Sequence, residues 1–198
     1  AGLAALTRRL HGAEVDFLPE LGVSYDHELA RLSMTGARPD FHLCPVLATY
    51  YLNFNCASVT VADQTNPLLD RRVRRALSLV VDRDRLVRNV RARGDRPARS
   101  FVPPDAIPGY RPPSGLGLDP IEARRLLADA GHLNGRGLPP IQVLYTQNDE
   151  RVIQAVARMW EQELGIRVDL VCKESKTFGE DKAYDTADHV ANLRAANV

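Results

Sequence analysis

Nothing in this 198-residue chain is apolar for long enough to cross a bilayer, since no stretch approaches the roughly 18 apolar residues a membrane helix needs. The opening AGLAALTRRLHGAEVDF has no charged segment followed by an apolar run, so any export signal is expected outside this stretch. Cysteine is scarce. Cys44, Cys56 and Cys172 form no CxxC pair and have no histidine cluster beside them, which argues against a disulfide framework and a zinc site. One disulfide plus a free thiol and three reduced thiols are both open. An excess of one charge is missing too: 26 Lys and Arg stand against 25 Asp and Glu, and a net charge of +1 argues against a dedicated nucleic-acid binder. GxSxG, HExxH, P-loop and EF-hand signatures are absent, and the glycines of GLGLDP and GHLNGRG lack the strand-then-helix setting of a phosphate loop. The five histidines, His11, His27, His42, His132 and His189, stand apart in sequence, as surface or structural histidines do. The expectation is a protein that is not an enzyme, with no catalytic residue, metal site or cofactor.

What the chain does have is 44% hydrophobic residues, enough for one good core or one core with a small satellite. Its most conspicuous stretch is RRVRRALSLVVDRDRLVRNVRARG, residues 71 to 94, with nine arginines. Val73, Ala76, Leu77 and Val80 share one helical face, with the arginines mostly elsewhere. Asp82 is placed to cap a second helix, with Leu86, Val87 and Val90 inward and a close near Gly94. Arginine favours helices, its stem covers apolar surface, and residues 71 to 94 hold no aromatic side chain on which a base would stack. A solvated helical hairpin is therefore expected, not a phosphate-binding strip. Asp82 and Asp84 fall where a cap and a first helical turn favour negative charge, so they are not offered as a carboxylate pair.

Elsewhere, Leu3, Leu6 and Leu10 recur at helical spacing, and residues 26 to 35 read as another short helix. TYYLNFN alternates Tyr51, Asn53 and Asn55 against Leu52 and Phe54, which predicts a strand from about Ala48 to Asn55. Tyr50, Tyr51, Asn53 and Asn55 there either line a cleft with flat polar side chains or decorate a sheet edge. Six prolines between residues 97 and 118 predict an ordered loop held down by Phe101, Val102, Ile107 and Tyr110. DPIEARRLLADAG has Asp119 as N-cap, Pro120 at the first helical position, Leu126 and Leu127 inward and Gly131 as the stop. A strand at 141 to 146, a helix from about Asp149 to Leu164 and a strand at 166 to 172 then make a parallel βαβ unit.

TYYLNFN, DRRVRRALSLVVDRDRLVRNV, PARSFVPP, EARRLLADAG and LYTQNDERVIQAVARMWEQELGIRVDLVCKESKTF closely resemble, in sequence and order, the dipeptide- and oligopeptide-binding proteins of ABC importers. The likeness runs from about residue 1 to 178. It implies an α/β fold: a periplasmic-binding-protein-like lobe, a mixed sheet with a βαβ unit and flanking helices. Residues 1–55 would be the end of a first lobe with its crossing strand, and residues 56–198 part of the second, lid lobe. The resemblance implies no enzyme but a substrate-binding component closing around a peptide or similar small solute, with the importer's membrane subunits as partners and no nucleic acid. It also implies a periplasmic or extracytoplasmic, membrane-associated location.

By resemblance, Tyr51 falls on a tyrosine that faces peptide, with Tyr50, Asn53 and Asn55 beside it. Arg151 lies near a position that supplies a basic contact to the peptide carboxylate. The family's Glu-Trp-Lys-Thr-Phe segment stands here as Glu174, Ser175, Lys176, Thr177 and Phe178, so Ser175 replaces the tryptophan of a side-chain pocket. Counting from Asp185, the family's Gly-Trp falls on Val190 and Ala191, and its ammonium-binding aspartate falls on Arg194, whose charge would repel an ammonium group. Two other readings stand beside the importer: the sensing domain of a cytoplasmic transcription regulator built on the same module, and a truncated remnant that binds nothing.

Overall fold

A computed structural model describes residues 47–57, 60–61, 64–92, 94–104 and 106–173. The expected helices at 3 to 10 and 26 to 35, and everything after Lys173, lie outside the described residues. The chain divides into two compact units, residues 1–51 with 83–114 and residues 52–82 with 115–198.

The second unit carries most of the described regular structure. A short antiparallel pairing of β1 (Thr60–Val61) with β2 (Gln64–Thr65) leads through a 3-10 turn at Pro67–Leu69 into α1, Arg71–Leu79. Asp70 starts α1 by accepting the Arg72 N–H at 2.7 Å. Val73, Ala76, Leu77 and Val80 are all buried, as their spacing predicted. The arginines of the same helix are engaged locally. Arg72 forks onto the Asp70 carboxylate and also donates to the Asp129 carbonyl at 2.6 Å, while Arg74 donates to the Leu68 and Leu69 carbonyls.

In the first unit, α2 (Arg83–Arg85) continues as a π-helix over Leu86–Arg91. Leu86 is buried, and Val87 and Val90 are half-buried. The helix closes at Ala92, which takes the left-handed conformation (φ 46°) and donates its N–H to the Val87 carbonyl at 2.8 Å, two residues before the expected Gly94. Two further expectations are corrected. Residues 48 to 55 show no ladder pairing, although the alternation is real: Leu52 and Phe54 are half-buried, and Tyr51, Asn53 and Asn55 are exposed. Alternation reports which side faces apolar neighbours, and says nothing about a partner strand. In the proline-rich loop, Val102 is half-buried, but Phe101, Ile107 and Tyr110 are exposed and do not pack down.

Back in the second unit, helix α3, Pro120–Asp129, begins as expected: Asp119 accepts the Glu122 N–H at 3.0 Å, Pro120 opens the helix, and Gly131 follows its end with a φ of 89°. Leu127 is buried, whereas Leu126 is only half-buried. The α3 helix packs against α1 and against α4, Glu150–Leu164. Strands β3 (Ile141–Tyr145) and β4 (Val168–Cys172) flank α4 in sequence and pair in parallel, from Ile141 with Val168 to Tyr145 with Cys172. The parallel and antiparallel pairings belong to separate two-stranded sheets. Val152, Ile153, Val156, Ala157, Met159, Trp160 and Leu164 bury one face of α4. Phe54 lies 6.5 Å from the Trp160 ring.

Candidate functional site

The segment from Leu47 to Ala57 passes from one unit to the other after Tyr51, so its candidate residues divide. Tyr50 and Tyr51 belong to the first unit; Asn53, Asn55 and Arg151 belong to the second. Glu174 and Ser175, with Val190, Ala191 and Arg194, lie outside the described residues.

Within the first unit, Thr49 donates its hydroxyl to the Phe101 carbonyl at 2.8 Å, which ties the segment to the proline-rich loop. Next to that bond the Phe101 ring meets Tyr51 edge to face, with centroids 5.1 Å apart and planes at 60°. Leu47, Tyr51, Phe101, Val102, Pro103 and Ile107 line an open hollow of about 370 Å³. Its surface is mostly apolar, and its largest members are exposed: Phe101 by 69% and Tyr51 by 53%. Tyr50 faces a different neighbour. The Arg91 guanidinium lies over its ring, 5.4 Å from the centroid, and donates through Nε to Asp95 at 2.5 Å. In the same unit, burial first and the charge of Arg99 second push the Arg83 pKa down, while Arg99 pairs with Asp84 at 3.2 Å.

In the second unit, Asn55 has a structural occupation. Its side-chain oxygen accepts the Ala57 N–H at 3.0 Å and its carbonyl accepts from the buried Asn66 amide at 2.9 Å. Asn66 in turn caps the turn before α1 by accepting the Leu68 N–H. Asn53 is exposed, and Arg151 is exposed in the first turn of α4. Sequence reasoning misses Arg91, which it places on a solvated helix surface, and Asn66. It identifies Phe101 as an apolar anchor and not as part of a hollow. The cap that Asn66 gives Leu68 is local, but the contacts of Arg91 with Tyr50 and of Phe101 with Tyr51 join residues far apart in sequence, and no local pattern marks them.

Chemically, this arrangement suits capture of an uncharged or apolar group against aromatic surface. Among the described residues, no three His, Cys, Asp or Glu gather to hold a metal ion, and Cys56 and Cys172 are free, exposed thiols. No described helix is long and apolar enough to cross a membrane.

Residues 7–194 match the family model for bacterial extracellular solute-binding proteins, family 5, middle portion. The chain belongs to that family. Members of this solute-binding family are binding proteins, not enzymes. The chain is 34% identical over 156 residues to the periplasmic oligopeptide-binding protein OppA of Escherichia coli K12, covering 75% of this chain and 27% of the relative. It is 36% identical over 142 residues to the periplasmic murein peptide-binding protein MppA of the same organism, covering 68% and 25%. The solved structure of the E. coli murein tripeptide-binding protein MppA superimposes with a TM-score of 0.65 at 28% identity, over 90% of this chain and 34% of that one. Over the superimposed part, the chain shares the periplasmic-binding-protein-like fold of these relatives. The chain spans about a quarter of the length of the curated relatives it matches. These relatives are periplasmic binding proteins and lend no support to the transcription-regulator reading.

Proposed function

We propose that this chain is the middle part of the substrate-binding component of an ABC importer for peptides or similar small solutes. The observation that carries the reading is the family match over residues 7–194, joined by likeness to two periplasmic peptide-binding proteins. In this reading, residues 1–55 close the first lobe with a crossing segment and residues 56–198 begin the lid lobe. The protein acts outside the cytoplasm, in the periplasm or at the membrane surface, and delivers its solute to the importer's membrane subunits. It performs no chemical step. A ligand that touches both lobes binds the closed state better than the open one and so shifts the population toward closure.

Tyr50, Tyr51, Asn53, Asn55, Arg151, Glu174 and Ser175 are the proposed ligand-facing positions. The hollow beside Tyr51 supports that residue's assignment, because an exposed aromatic pair next to a concave surface is suited to a flexible peptide. Asn55 is the weakest member, given its bonds to Ala57 and Asn66. Native mass spectrometry of the full-length protein with trialanine tests the proposal. A one-to-one complex is expected, and failure to bind at millimolar peptide would overturn it.

A further inference from the structure

We infer that Arg91 is a positioning residue for the ligand site: its guanidinium holds the Tyr50 ring in the orientation that the ligand meets. The inference rests on the proposal that Tyr50 and Tyr51 face the ligand.

Three observations within the first unit converge on Arg91. Its guanidinium carbon lies 5.4 Å from the Tyr50 centroid, inside the range in which a cation is attracted to the face of a ring. That cation is itself held. Nε donates to Asp95 Oδ2 at 2.5 Å, and the Arg91 side chain is only 22% exposed, so the group over Tyr50 is anchored and its charge is balanced. Third, the backbone that carries Arg91 is unusual. Leu86–Arg91 is a π-helix, and the residue after it, Ala92, is a non-glycine residue in the left-handed region at φ 46°.

A π turn holds one more residue than an α turn, so Arg91 lies further back around the axis than a continued α-helix would place it. Such turns are rare, and where they occur they often re-aim a side chain at a functional site. A left-handed alanine persists only where its surroundings over-determine it. Arg91 and Tyr50 are the contact this geometry produces. Tyr50 is 43% exposed, and a cation over one face of its ring narrows the orientations that the ring adopts. With one face closed by Arg91, binding does not have to order the ring, and that reduces the entropic cost of association. The Asp95 carboxylate keeps the arrangement near neutrality, so the device orients a ring without selecting ligands by charge.

A double-mutant cycle on the full-length protein, read by titration calorimetry with trialanine, tests this. Arg91→Gln is expected to weaken binding about two- to fivefold, the worth of one exposed cation–ring contact. Arg91→Lys should recover most of the loss. Tyr50→Leu should weaken binding about tenfold, and in that background Arg91→Gln should have no further effect. An Arg91→Gln protein that binds as wild type, or that loses as much affinity with Tyr50→Leu as without it, overturns the inference. Should Arg91→Gln fail to fold, Asp95→Ala removes the anchor and is read in the same cycle. If Tyr50→Leu alone binds as wild type, the placement of Tyr50 in the site is wrong and the inference falls with it. If the wild-type protein does not bind trialanine, the importer proposal itself fails.

Discussion

Trp160 donates its indole N–H to the Leu77 carbonyl across 2.9 Å, with both residues buried. Leu77 lies in the last turn of α1, where carbonyls have no partner within the helix, and the indole supplies one from α4. Asp119 does the same at the end of that turn by donating its N–H to the Leu79 carbonyl at 2.9 Å. The C-terminal end of α1 is thus closed by side-chain and backbone donors from elements far along the chain.

Trp160→Phe should therefore cost more than its lost surface. The ring that remains cannot donate, so the buried Leu77 carbonyl is left without that partner at about 1–3 kcal/mol, with packing loss in addition. Urea unfolding followed by far-UV circular dichroism measures this. A change below about 0.5 kcal/mol would show that the bond contributes nothing net.

Gly135 and Gly165 meet backbone to backbone. A Cβ on Gly135 would lie 2.5 Å from the Gly165 carbonyl oxygen, and both residues have positive φ. Gly109 also has positive φ, but a Cβ there would meet nothing within 4 Å. Gly109→Ala should cost only the left-handed conformation, about 1–2 kcal/mol, whereas Gly135→Ala must also push two backbones apart. Thermal unfolding should show a clearly larger drop in Tm for Gly135→Ala, and equal drops would mean the close approach is relieved without cost.

The hydrogen bond from Arg72 holds the Asp70 carboxyl below the usual carboxylate range, against an opposing effect of burial. A folded pKa below the unfolded one contributes stability above the unfolded value, about 4, and that contribution is lost as pH falls through the folded pKa. Asparagine caps a helix but does not titrate. The stability gap between wild type and Asp70→Asn should accordingly be present at neutral pH and shrink in acid, while Asp70→Ala costs about 1 kcal/mol at neutral pH. Urea midpoints across pH give the answer; a gap that widens in acid would reverse the sign argued here.

Tyr51 and Asn55 share one segment but should separate on substitution. Tyr51→Ala removes an exposed ring from the wall of the hollow and is expected to weaken trialanine binding about tenfold with little change in Tm. Asn55→Ala removes the acceptor for the Ala57 N–H and should lower stability by about 1 kcal/mol with little effect on affinity. Calorimetry paired with thermal melts distinguishes them, and the opposite pattern would make Asn55 the stronger ligand contact of the two.

The elements legible in the sequence were those whose causes are local. Asp119, Pro120 and Gly131 bracket α3, Gly165 ends α4 with a φ of 67°, and the spacing of Val73, Ala76, Leu77 and Val80 marks the buried face of α1. The order of these segments was also enough to point to the solute-binding family. Tertiary structure alone decided the rest. Hydrophobic alternation in TYYLNFN fixed which side chains face inward, but a ladder needs a partner strand, and no residue within the segment encodes one. In the same way, a basic helix face looks alike whether its arginines meet water, carbonyls or a ring. Arg72 came to rest on the Asp129 carbonyl, and Arg91 on Tyr50, because chain folding brought those partners within reach. Helical periodicity and capping act over a few residues and can be read along the chain, whereas the engagement of a long charged side chain depends on contacts made only in three dimensions.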